Sequence, residues 1–105
     1  VIDFLTLPNP GEPGNDLRGY DALYRHDLAT LRQCARAKGG VEHGNIGNLA
    51  SSMRLIRAGL IVKVLDAAGS RFLYVTALGR ETVRVNASCI DGSEGLPLPY
   101  RRRLA

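Results

Sequence analysis

Between positions 45 and 82 the spacing of apolar and polar residues changes twice, and the rest of the chain is arranged around that stretch. Ile46, Leu49, Met53, Ile56 and Leu60 recur at steps of three and four, which predicts a helix over 45–58 with these side chains on one buried face. Gly59 stands where the helix must stop, because glycine reaches positive φ without a Cβ clash. The period then shortens to two β-rich runs, 61–65 and 71–76, joined by the polar, glycine-bearing Asp66-Ala67-Ala68-Gly69-Ser70. Thr76 is placed to cap a short closing helix over 77–84.

Upstream, Tyr20, Tyr24, Leu28, Leu31 and Ala35 share one side of a predicted first helix that begins after Gly19 and runs to Lys38. Gly39-Gly40 stops it. The chain before it starts apolar, with Ile2, Phe4, Leu5 and Leu7, and then places three prolines and two glycines between Pro8 and Asn15. That run admits no regular structure, so 1–19 is predicted as an extended N-terminal arm tied down at its apolar beginning. Leu96-Pro97-Leu98-Pro99 is extended for the same reason. The chain thus divides into an arm (1–19), an α+β domain (20–85) and an extended basic C-terminal tail (86–105).

The residues "LIRAGLI", followed by a hairpin and "RFLYVTALGRE", resemble the recognition-helix, wing and closing-helix region of winged helix–turn–helix regulators, PadR- and MarR-like ones in particular. The resemblance implies three short helices with a two-stranded β wing, and a homodimeric transcriptional regulator that binds double-stranded DNA sequence-specifically. Two features differ from the family pattern: only 39–44 separates the two predicted helices, and Ser52 stands where an apolar residue is usual.

Charge adds to this picture. The net charge is +4, and eleven bases face five acids between 18 and 90, whereas 1–17 carries three acids and no base. A basic body suits a polyanion, since neutralising phosphates drives association without sequence preference. On the helix 45–58, Asn45, Asn48, Ser51, Ser52 and Arg54 are the candidates to meet base edges: asparagine pairs with adenine, serine bonds either way, and arginine takes guanine or phosphate. Lys63 and Arg71 flank the wing. Arg25, Arg32 and Arg36 follow one another along the first helix at spacings of seven and four, and Arg101, Arg102 and Arg103 form a basic end. The same charges also fit an ordinary solvated surface. The competing readings are a winged-helix protein-interaction or assembly module that docks through 2–7, and an RNA-binding, ribosome-associated protein.

Catalysis finds little support. His26 and His43 are the two histidines; with Cys34 and Cys89 they lack metal-ligand spacing, so neither a metal nor another cofactor is expected. The acids are scattered among bases, and Asp27 is expected to pair with a nearby arginine rather than act as a base. No apolar run approaches the roughly 20 residues of a membrane span. With no signal-peptide pattern at the start and no cysteine framework, a reduced cytoplasmic setting is expected.

Overall fold

A computed structural model describes residues 2–7, 22–46 and 49–89. The first helix, α1 (Asp27–Arg36), is shorter than its apolar spacing predicts. The cause is local. The Asp27 N–H donates to the Tyr24 carbonyl at 3.0 Å, and the Asp27 carboxylate accepts the Tyr24 N–H at 2.8 Å. This reciprocal pair resembles a capping box and holds Tyr24 outside the helix. Leu28, Leu31 and Cys34 of α1 are fully buried, and neither Cys34 nor Cys89 is disulfide-bonded. Burial pushes the Cys34 thiol up to about 11.

A two-residue strand, β1 (Val41–Glu42), follows the glycine turn. It pairs with the second strand of the predicted hairpin, so among the described residues the sheet has three strands instead of the two expected. Gly40 makes this possible: at φ +85° it lies under the Tyr74 ring, where a Cβ would come within 2.8 Å of ring carbons. A 3-10 turn at His43–Asn45 then leads toward α2 (Leu49–Arg57).

The end of α2 is as predicted. Gly59 takes φ +78°, Leu60 N–H donates to Leu55 O at 3.0 Å, and Gly59 N–H donates to Ile56 O at 3.0 Å. These are the two bonds of a Schellman stop, and Leu55 and Leu60 meet in the core as its hydrophobic contact. The buried face of α2, however, is not the predicted one. Leu49 is 55% exposed and Met53 and Ile56 are half-buried, while Ser51, Ser52, Arg54 and Leu55 point inward. The helix is turned by its polar residues, for reasons given below.

Strands β2 (Ile61–Leu65) and β3 (Arg71–Val75) match the predicted hairpin and pair antiparallel, Lys63 opposite Leu73. At the tip, Asp66 Oδ1 accepts from Ala68 N–H and Ser70 N–H, and Gly69 takes φ +85°. This is an aspartate-closed turn with glycine at the position that needs positive φ. Thr76 caps α3 (Ala77–Val85) by accepting the Gly79 N–H at 3.0 Å, and its hydroxyl donates to Gly59 O at 2.7 Å. A Cβ on Gly79 would sit 2.1 Å from Leu60 O, so only glycine permits this approach.

The N-terminal arm is partly folded. Residues 2–7 form a 3-10 turn, Phe4–Thr6, and Phe4 is fully buried in the core. Asn86 ties it down, accepting the Phe4 N–H at 2.9 Å and donating to Ile2 O at 2.7 Å and Thr82 O at 2.7 Å. The rest of the predicted arm and the tail beyond Cys89 lie outside the described residues.

The rotation of α2 sets an order of mutational costs. Leu55→Ala is expected to destabilise by about 2–5 kcal/mol, the range for truncating a core leucine. Leu49→Ala should stay within about 0.5 kcal/mol, as for a surface change. Urea melts of the two variants measure this, and the reverse order would restore the face inferred from the apolar spacing.

Candidate nucleic-acid interface

The side chains that orient α2 form one buried polar cluster. Asp27, fully buried in the first turn of α1, receives Arg54 in bidentate fashion: Nε donates to Oδ2 and Nη2 to Oδ1, both at 2.8 Å. The Ser51 hydroxyl donates to Asp27 Oδ1, and Arg54 Nη2 also lies 3.3 Å from Ser51 Oγ. Arg54 Nη2 is 3.2 Å from His26 Nε2, and its guanidinium carbon lies 5.0 Å from the centroid of the Tyr24 ring. Tyr24 in turn stacks on His26, centroids 5.8 Å apart. A carboxylate at a helix start also gains from the helix dipole. The cluster therefore holds α1 to α2 through charge and through five named side chains, and it turns Ser51 and Arg54 inward.

This placement corrects three sequence candidates. Ser51 and Ser52 are 0% exposed and Arg54 is 6% exposed, so in this conformation none offers its side chain to a groove. Ser52 donates to Leu49 O at 2.7 Å, a local bond within its own helix. Arg32, expected along a phosphate-facing stripe, donates through Nη2 to Asn86 O at 2.8 Å and Cys89 O at 2.7 Å, neutralising the end of α3. Arg25 is half-buried. Arg36 is exposed, so the structure does not present the three as one stripe. Asn45 is exposed in the 3-10 turn before α2. Asn48, Arg101, Arg102 and Arg103 lie outside the described residues.

The hairpin cations Lys63 and Arg71 are differently disposed. Side chains alternate between faces along a strand. The register sets Lys63 in one row with the buried Leu73 and Val41, and Arg71 across from Leu65. Ile61, Lys63, Leu65, Arg71, Leu73 and Val75 therefore share the face that packs toward the helices. Lys63 and Arg71 sit at its open margin, and both are exposed. The opposite face carries Val62 and Val64 across from Tyr74 and Phe72. Two exposed arginines escape the sequence reasoning: Arg57, in the last turn of α2, and Arg80 on α3. Arg84, also exposed, hydrogen-bonds Glu81 and holds its carboxyl below the usual range. Asn86, the clamp of the N-terminal arm, escapes it too; a lone asparagine after a helix carries no pattern that signals a contact 82 residues away in the chain.

Among the described residues no group of three or more His, Cys, Asp or Glu is arranged to hold a metal ion. No helix among them is long and apolar enough to cross a membrane. Comparison with protein-family models, with curated proteins and with solved structures finds no match to this chain.

The cluster makes a quantitative expectation. Removing one member of a buried ion pair leaves the other charge uncompensated, at about 3–5 kcal/mol. Asp27→Ala and Arg54→Ala should each cost this much, and the double variant should cost much less than their sum. A double-mutant cycle by chemical denaturation reads the coupling; additive losses would mean that the pair does not act as a unit.

Proposed function

We propose that this chain is a winged helix–turn–helix protein that binds double-stranded DNA as a transcriptional regulator, with α2 directed at the major groove and the β2–β3 wing at the phosphates. The observation that carries this reading is the common face of Lys63 and Arg71. Both cations are exposed on the helix side of the wing, and α2 runs into β2 through the short joint Ala58-Gly59-Leu60. A cation on a ribbon at the margin of the domain can meet a phosphate without any rearrangement of the core, and phosphate contacts position a protein without specifying sequence. Arg36 extends the exposed positive charge. Base reading then falls to Asn45, with Asn48 a candidate from its sequence position alone. Exposed Leu49 suits a thymine methyl, which apolar side chains recognise in the major groove.

A protein-interaction module is the second reading, and one observation favours it. The outward side of α2 presents Leu49, and the outer face of the wing presents Val62 and Val64, each 45% exposed. Apolar side chains at these positions serve a protein surface better than a phosphate backbone.

Titration against duplex DNA of random sequence at several salt concentrations separates the two. Under the DNA reading, wild type binds at low salt with a steep negative salt slope. Lys63→Ala and Arg71→Ala each weaken binding to all sequences alike and reduce that slope by about one. Asn45→Ala changes preference among sequences instead. Absence of binding at low salt would transfer the proposal to the protein-interaction reading.

A further inference from the structure

Among the described residues, the long open edge of the sheet is β2. In the order β1-β3-β2, the central β3 is paired on both sides, and β1, the other edge, has only two residues. The bonds at the two ends of the hairpin fix which backbone groups of β2 point outward. Thr76 N–H donates to Leu60 O at one end, and Asp66 N–H donates to Ser70 O at the other. Hydrogen-bonded pairs recur every second residue in an antiparallel ladder, so positions 60, 62, 64 and 66 direct their N–H and C=O groups at β3. Ile61, Lys63 and Leu65 direct theirs away from the sheet. Proteins blunt such edges with prolines, bulges, short length or charge. This one spans five residues with continuous register and no proline, and its single charge is Lys63.

The run Ile61-Val62-Lys63-Val64-Leu65 reads alike from both ends, two aliphatic residues on each side of a lysine. Antiparallel pairing of the run with a second copy about Lys63 sets Ile61 against Leu65 and Val62 against Val64. It also places the three outward-pointing residues of each copy in hydrogen-bonded register, giving about six backbone bonds at two per pair. The two-fold axis would stand perpendicular to the sheet and preserve its faces. Val62, Val64, Phe72 and Tyr74 of both copies would then join into one apolar outer surface, and Lys63 and Arg71 of both would gather on the helix side.

We propose that two copies of this chain associate by antiparallel pairing of their β2 edges, with Lys63 facing Lys63 across the axis. This symmetry of the edge sequence selects a second copy over an unrelated extended peptide. Like charges directly opposite one another destabilise a strand pair. The dimer is therefore weak at low ionic strength and tightens when the two ammonium groups are screened. A polyanion bound on the helix side would tighten it further; only that last consequence rests on the DNA-binding reading.

Sedimentation equilibrium of the full chain over a range of concentrations tests the proposal, at about 50 and about 500 mM salt, between which screening lengths shrink several-fold. The expected result is a concentration-dependent dimer that tightens a few-fold at the higher salt. Lys63→Thr should tighten it about tenfold at low salt and remove most of the salt dependence. Val64→Lys, checked for folding by circular dichroism, should be monomeric throughout. Amide exchange provides a second readout on wild type: N–H protection at Ile61, Lys63 and Leu65 should rise with protein concentration. A monomer under all conditions, a dimer that a folded Val64→Lys leaves intact, or a dimer loosened by salt would overturn the proposal. Salt weakens phosphate contacts and strengthens this pairing, so failure here is distinguishable from failure of the DNA reading.

Discussion

The buried pairing of Asp27 with Arg54 is the constraint on which the remaining arrangement depends. A charge taken out of water costs several kcal/mol unless its partner is well placed and its other hydrogen-bonding positions are filled. Here the carboxylate accepts from Arg54, from the Ser51 hydroxyl and from the Tyr24 N–H, and the guanidinium is also met by His26 and the Tyr24 ring. Such a cluster tolerates little rotation of either helix. Once α1 offers Asp27 at its first turn, α2 has to present Ser51 and Arg54 to it. Leu55, one residue further, then enters the core beside Leu28 and Leu31. Leu49 and Met53 are left toward the outside as a consequence, although their own chemistry favours burial.

This explains which parts of the fold the sequence discloses. The β2–β3 hairpin, its aspartate-glycine turn, the Gly59 stop and the Thr76 cap were all legible, because each is decided by bonds between residues close in the chain. The sidedness of α2 was not. Apolar periodicity assumes that polar residues face water, and Ser51 and Arg54 break that assumption through a partner 24 and 27 residues away. The start of α1 is hidden for a related reason: the apolar spacing continues through Tyr24, but the Asp27 carboxylate holds the Tyr24 N–H in the turn before the helix. The third strand was hidden because two residues are too few to show a period, and their pairing depends on a glycine fitting under Tyr74.

The same distinction governs the charges. Counting bases along the chain treats every arginine as surface charge, yet Arg54 is neutralised in the core, Arg32 holds the end of α3 and Arg84 is paired with Glu81. Lys63 and Arg71, by contrast, were legible as candidates because a hairpin of known register places alternate residues on known faces. Expectations at Asn48 and in the basic tail rest on sequence position alone.

The joint at Leu60 has a mechanical consequence. Its carbonyl accepts both the Thr76 N–H and the Thr76 hydroxyl, and the backbone of α3 presses against it where Gly79 omits a side chain. Both ends of the β2–β3 hairpin are thus anchored to one peptide unit, which is also the exit of α2. A hairpin fixed in this way has no hinge at its base. A push on its tip would be carried as a torque into α2 and α3 together. The interval between α2 and the hairpin is then a property of the protein alone, and anything that touches both has to match a fixed gauge.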